Sequence, residues 1–352
     1  MIRPHDFIML ILLYVVLVCT SSWQKAETAR QVVVLVGPHK TGSTSIQSAI
    51  REWVASGALE NWSWPVPDRA SLVTAVKNPN GQNEVIPFSG TKGFAPLAIM
   101  LRKSRSQAYP QVLRAYQVAF QKAWESERNL LIASEEFDRF TNNPSIVESF
   151  LGILPKCNSL SNDRDSGNYN CELKAVVVYR TPRLDHLMPL FHQVGRNMSF
   201  SDFILNEKFT MYEDILNPLG LAQTLVQSNV TTFIINSGAV VRSGKEVPEV
   251  VACRVLETPC VADIPLFLQD HLNWENIKTT HNQTLSQEKL VKLGEILEEF
   301  DCTYVSLLQN PKVRFIYEED AFLKCFNRTI ARTSFQDVTS KLQAEVSKSW
   351  TA

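Results

Sequence analysis

Apolar residues along this chain come in two rhythms. The first is the short unbroken run. Val32-Val-Val-Leu-Val36, Leu130-Leu-Ile-Ala133 within Asn129–Ser134, Leu173–Tyr179 and Thr231–Asn236 are each dominated by Val, Ile or Leu and bounded by polar or Gly/Pro residues. Such runs predict strands buried on both faces. The second rhythm recurs every three or four residues and predicts helices. It marks Thr44–Val54, where Ile46, Ala49, Ile50 and Trp53 share a face, and then Phe94–Arg102, Tyr109–Glu127 and Pro144–Leu154. It returns after Arg183 as far as Gln193, and across residues 284–308, where Leu285, Leu290, Leu293, Ile296, Leu297, Phe300 and Tyr304 form one stripe. Strands alternating with helices imply βαβ units, hence an α/β fold with a mainly parallel sheet flanked by helices.

Two stretches break the pattern. Residues 57–92 are rich in Gly, Pro, Asn and Ser and read as a long irregular connection, a candidate acceptor-binding segment. Its Trp62 and Trp64 have two readings, stacking on a sugar or plugging the core. Residues 156–170 read as a second loop. There are no internal repeats and no evident inter-domain linker, so residues 31–350 read as a single domain with an irregular helical C-terminal part.

The extreme N-terminus obeys neither rhythm. Phe7–Cys19 is a run of 13 apolar residues behind Arg3. As a helix it would span about 20 Å, short of the ~30 Å hydrocarbon core. Residues 1–23 therefore read as a signal peptide or a short signal-anchor, and either delivers the chain to the secretory lumen. The six cysteines beyond Cys19 agree with that address, and sequence proximity favours the pairs 157–171, 253–260 and 302–325. So do five Asn-x-Ser/Thr sequons, at Asn61, Asn197, Asn229, Asn282 and Asn327. The expected location is the Golgi as a type II membrane protein, or the exterior.

Composition narrows the chemistry. The 352 residues are 45% hydrophobic and 20% charged, with a formal net charge of −1. That balance lacks the basic signature of a nucleic-acid binder. Arg102-Lys103-Ser104-Arg105 is a local basic patch that reads as a solvated helix end. No Cys/His cluster has metal-ligand spacing, so no metal is expected.

The chemistry instead gathers at strand ends, where open α/β sheets bind ligands. The first run ends in Gly37-Pro-His-Lys-Thr-Gly-Ser-Thr-Ser45, leading into a helix. Strand, glycine loop and helix N-terminus together make an anion site, because loop N–H groups and the helix dipole converge on one point. Gly37, Gly42 and Thr44 keep the spacing of G-x-x-x-x-G-K-[ST], yet Ser43 stands in the lysine position and the lysine, Lys40, comes three residues earlier. This disfavours an ordinary kinase or NTPase. The second run ends in Ser134-Glu135-Glu136. The third ends in Arg180-Thr-Pro-Arg183, a basic pair suited to a second phosphate.

Lys40-Thr-Gly-Ser-Thr-Ser45 resembles the 5′-phosphosulfate loop of sulfotransferases, which use 3′-phosphoadenosine 5′-phosphosulfate (PAPS). The longer phrase Gly37–Gln47 looks especially like a sulfotransferase-like branch of microbes and algae. Val-Val-Val-Tyr-Arg180-Thr-Pro-Arg183 resembles the opening of the family's 3′-phosphate motif. The serine expected about eight residues after that arginine is missing: Met188 and Pro189 stand there, with Thr181, Arg183 and Ser199 as substitutes. The resemblance, which covers residues 31–205, implies a P-loop NTPase-like sulfotransferase architecture. It further implies PAPS held by Lys40, Thr41, Gly42, Ser43, Thr44, Ser45, Arg180 and Arg183. Lys40 would stabilise charge on the departing phosphate oxygen. A general base would be Glu136 or Glu135, with His39 next and His186 and His192 as further rivals. Glu135 and Glu136 end a strand that should neighbour the first, and adjacent carboxylates on an extended backbone point opposite ways, so one of them at most serves. The implied acceptor is a hydroxyl, on a glycan by family and compartment. The alternatives are a non-catalytic nucleotide- or anion-binding protein on the same fold and, third, a P-loop kinase or NTPase.

Overall fold

The computed structural model describes residues 30–37, 43–68, 72, 93–103, 109–155, 171–195, 198–258, 285–317, 325 and 333–348. The N-terminal apolar run, the loop Pro38–Gly42, the segment 156–170 and the sequons at Asn197, Asn282 and Asn327 lie outside them.

Six parallel strands form one sheet in the order β2-β3-β1-β4-β5-β6. They are β1 (Arg30–Val36), β2 (Trp62–Ser63), β3 (Asn129–Ala133), β4 (Cys171–Tyr179), β5 (Thr231–Asn236) and β6 (Val313–Ile316). The chain is thus α/β with an all-parallel sheet flanked by helices. The four apolar runs are its inner strands. Val32, Val33 and Val36 are 0% exposed, and alternate residues of β1 feed opposite faces. Burial of each such side chain contributes about 1.5–3 kcal/mol, and β-branched residues suit a pleated, two-sided surface.

One face packs Val32, Val34, Val177 and Ile234 beneath α2 (Ala95–Arg102), α3 (Tyr109–Glu125), α4 (Pro144–Leu151) and α8 (Pro218–Gln227). The other packs Val33, Leu35, Val176 and Ile235 beneath α1 (Ser43–Ala55) and α10 (Val247–Arg254). A third cluster contains no strand residue. It joins α5 (Leu184–Val194), α6 (Phe200–Leu205), α11 (Gln287–Asp301) and α12 (Phe335–Ser347) through rings such as Phe191 and Phe200, 5.1 Å apart. Among the described residues two short helices remain, α7 (Glu213–Leu216) and α9 (Ser237–Arg242).

Three expectations change. The connection after α1 contains the edge strand β2, and Trp62 is 3% exposed in the core, while the half-buried Trp64 meets Phe94 edge-on at 5.1 Å. The second reading of that tryptophan pair, the core plug, is the observed one. The stripe over 284–308 is not one helix: α11 ends at Asp301 and the chain tightens into a 3-10 helix, Cys302–Gln309. There the Thr303 hydroxyl donates to the Phe300 carbonyl, and Cys302 is tied to Cys325 by a disulfide. Finally, Glu135 and Glu136 are not on extended backbone. They open a 3-10 helix, Glu135–Phe140, whose N-cap Ser134 accepts a hydrogen bond from the Glu136 N–H. The opposite-faces argument therefore does not apply to them.

The pair 302–325 is formed as expected. Cys171 and Cys253 are also disulfide-bonded, and Cys157 and Cys260 lie outside the described residues.

Candidate functional site

Strand order singles out one crevice. The connection after β1 runs toward β2 at one edge, and that after β4 toward β5 on the other side. Where successive connections diverge, the carboxyl ends of two neighbouring strands leave an opening. β1 and β4 are those neighbours, in register from Arg30↔Cys171 to Val36↔Val177. Gly37 thus emerges beside the end of β4, which carries Arg180. On the other side of β1, the Ser134 N–H donates to the Leu35 carbonyl at 3.2 Å. All three strand ends singled out in the sequence therefore meet around the end of β1.

The descent from β1 to α1 supplies part of an anion site. Gly37 is buried, and α1 begins at Ser43 with no acidic residue in its first turn to oppose the helix dipole. Ser43, Thr44 and Ser45 form that first turn. Pro38, His39, Lys40, Thr41 and Gly42 lie outside the described residues.

The Arg180 segment is held by neighbours that pattern reading passed over. β4 and β5 end together at Tyr179↔Asn236. Asn236 bonds Thr181 twice: its Oδ1 accepts from the Thr181 N–H at 3.3 Å, and its Nδ2 donates to the Thr181 hydroxyl at 2.7 Å. Ser237 donates to the Tyr179 carbonyl at 2.9 Å, and Arg242 Nη1 to the Thr181 carbonyl at 2.9 Å. Gly238 permits this approach, since a Cβ there would lie 2.0 Å from the Thr181 carbonyl oxygen. The Thr181–Pro182 peptide is cis. The signal was available in the sequence, because Asn236-Ser-Gly238 is the fourth polar strand end.

Arg180 is half-buried at this clamped turn. Burial lowers its guanidinium pKa from the ordinary value, and Asp185 in the first turn of α5 opposes that shift. A cation short of solvation gains from a second anion nearby.

Arg183 has a different place. It is 0% exposed, and its guanidinium faces the third cluster. Nε lies 3.1 Å from Asp301 Oδ2, Nη2 donates to the Leu216 carbonyl, and Nη1 lies 3.3 Å from His186 Nδ1. Arginine only donates, so His186 accepts at Nδ1. Arg183 therefore offers no surface to a ligand as it stands and acts as a strut between the β4 turn and α7 and α11. Helix phase contained this signal, since Arg183 precedes buried His186 by three residues and buried Leu187 by four.

The substitutes for the missing serine separate as well. Ser199 caps α6 by accepting from the Asp202 N–H and donating to its carboxylate at 2.7 Å. Pro189 is buried within α5, and Met188 packs against the third cluster. Only the Thr181 hydroxyl sits in the turn beside Arg180. Among the base candidates, Glu135 is 6% exposed and Glu136 half-buried at the start of the 3-10 helix beside β1. His186 is buried against Arg183, and His192 sits in the last turn of α5.

No family model and no curated protein matches this chain.

Proposed function

We propose that the chain is a sulfotransferase that moves the sulfuryl group from PAPS to a hydroxyl, on a glycan in the secretory lumen. One observation carries the reading. The pairing of β1 with β4 sets Gly37 and Arg180 at adjacent strand ends, where the two connections part. A nucleotide with phosphates at both its 5′ and 3′ positions asks for two anion sites side by side. The described residues fit such a group. A buried glycine opens onto a helix N-terminus without acidic residues, and a half-buried arginine stands beside it on a turn held by Asn236 and Arg242.

PAPS, when bound, supplies the transferable sulfuryl group. The first-turn residues Ser43, Thr44 and Ser45, with Thr41 and Gly42 before them, hold its 5′-phosphate. Lys40 stabilises negative charge gathering on the departing phosphate oxygen. Arg180 holds the 3′-phosphate with the Thr181 hydroxyl beside it, in place of the absent serine. Arg183 positions that turn from behind. Glu136, the more exposed of the two carboxylates, takes the acceptor proton, with Glu135 and His39 as the other candidates.

Calorimetric titration with adenosine 3′,5′-bisphosphate against ATP tests the reading. Preference for the bisphosphate, followed by sulfate transfer to a glycan, supports it. Binding of neither nucleotide refutes it. The absent serine favours one second reading, a binding protein without turnover on the same fold, and tight bisphosphate binding with no transfer to any glycan would select it.

A further inference from the structure

A cavity of about 340 Å³ shares no described lining residue with the β1–β4 crevice. Four separated segments build it: Asn142 after the first 3-10 helix, Thr210 and Glu213 before and at the start of α7, Phe300 in the last turn of α11 with Tyr304 in the 3-10 helix that follows, and the start of α12. Phe300 and Phe335 form an apolar floor, 2% and 4% exposed, with ring centroids 5.7 Å apart. The walls are fixed in advance. Arg139 holds Asp214 at 3.1 Å, the Cys302–Cys325 disulfide anchors the chain beside Tyr304, and α12 is closed by a capping box on Ser334.

The polar groups around that floor are mostly neutral. Asn142 Nδ2 donates to Glu213 Oε1 at 2.8 Å, which leaves Asn142 Oδ1 and Glu213 Oε2 without hydrogen-bond partners among the described residues. The Tyr304 hydroxyl accepts from Asn217 Nδ2 at 2.8 Å, so its own proton remains to donate. The exposed Gln336 amide stands at the rim. No described lining residue is basic, so an anion would meet the Glu213 carboxylate without a counter-charge. Burial, with Asp214 adding, raises the Glu213 carboxyl above its ordinary range, and the Asn142 bond opposes this. A ligand O–H donated to Oε2 would act in the same direction as Asn142.

From this geometry we propose that the cavity binds a neutral polyhydroxylated ring, a single pyranose unit or a cyclitol, between Glu213, Asn142, Tyr304 and Gln336. Vicinal hydroxyls both donate and accept, which matches one carboxylate oxygen, one amide oxygen, one phenol proton and one whole amide. The volume lies at the lower end of small-molecule sites and suits one ring. The proposal rests on the cavity's own chemistry and stands independently of the nucleotide reading.

Saturation-transfer NMR on the full chain tests it. The probes are the methyl pyranosides of glucose, galactose and mannose, and myo-inositol, at concentrations on the order of 10 mM. At least one should bind, and Tyr304→Phe and Gln336→Ala should each weaken it about three- to tenfold, the loss of one hydrogen bond. Adenosine 3′,5′-bisphosphate titration of the same variants should match wild type, which separates this site from the crevice. Gln336 is exposed, so its variant keeps the test sound if Tyr304→Phe fails to fold. Absence of binding by every probe overturns the proposal. So does binding that both folded variants leave unchanged, or tetramethylammonium binding in competition with the sugars.

Discussion

Replacing Arg183 by Met should destabilise the protein strongly at neutral pH and much less in mild acid. Arg183 and Asp301 are buried together, 3.1 Å apart. Burial outweighs the pull of Arg183 and leaves the Asp301 carboxyl raised to about 6, and Asp301 Oδ1 has no hydrogen-bond partner. The sign follows from linkage. A folded pKa above the unfolded 3.8 means that the native state binds more protons in between, so this group's contribution is full below about pH 4 and lost as pH rises through about 6. At 1.36 kcal/mol per unit that loss is about 3 kcal/mol in wild type. Without Arg183, a carboxylate ionised at pH 7.5 is left buried with no cation, which costs about 3–5 kcal/mol and lowers Tm by on the order of 10 °C. At pH 5 the Asp301 carboxyl is mostly neutral in both proteins. The cost then shrinks to the hydrogen bond donated to the Leu216 carbonyl, about 1–2 kcal/mol. Urea denaturation at the two pH values, with disulfides intact, reads the difference directly. Adding Asp301→Asn to Arg183→Met should recover most of the loss at pH 7.5. A cost below about 1 kcal/mol at pH 7.5, or one independent of pH, would refute the reasoning.

Three further outcomes address the crevice. Gly238→Ala places a methyl 2.0 Å from the Thr181 carbonyl oxygen. It should cost about 2 kcal/mol or more in a denaturant titration and weaken bisphosphate binding as the Arg180 turn shifts; wild-type values for both would show that the turn yields. Arg180→Ala should weaken adenosine 3′,5′-bisphosphate by about 1.5–3 kcal/mol, roughly ten- to 150-fold, the worth of a charged hydrogen bond. Unchanged affinity by calorimetry would place the 3′-phosphate elsewhere. Lys40→Ala should abolish sulfate transfer while changing stability by no more than about 0.5 kcal/mol, and an active variant would remove Lys40 from its assigned role.

The interior of this fold is legible in its sequence because parallel strands covered on both faces must be nearly all apolar. Val32–Val36 announces itself for that reason. The edges are not. β2 has two residues and β6, Val-Arg-Phe-Ile, has four, too few to separate from noise. The crevice was half legible. A polar residue at a strand end advertises itself, but Arg180-Thr-Pro-Arg183 does not by itself declare which arginine faces ligand and which faces core. Only the phase of the following helix, with Leu187, Leu190 and Phe191 inward, assigns Arg183 to the interior. The Asn236–Gly238 clamp depends on two strands ending level, and that is a property of register, which no local pattern expresses. The cavity on α11 and α12 draws on four distant segments and has no motif.

The central position of β1 has a consequence for synthesis. Its first partner, β3, begins 98 residues later, at the contact of Gln31 with Asn129, and β4 follows later still. At about 5–20 residues per second, the apolar run of β1 waits roughly 5–20 s for β3 alone. Throughout that interval it is a strand with two open edges and no sheet. A strand paired on both sides in the finished sheet is thus an unpaired apolar segment in the nascent chain, and slow or interrupted elongation between residues 37 and 129 lengthens its exposure to aggregation.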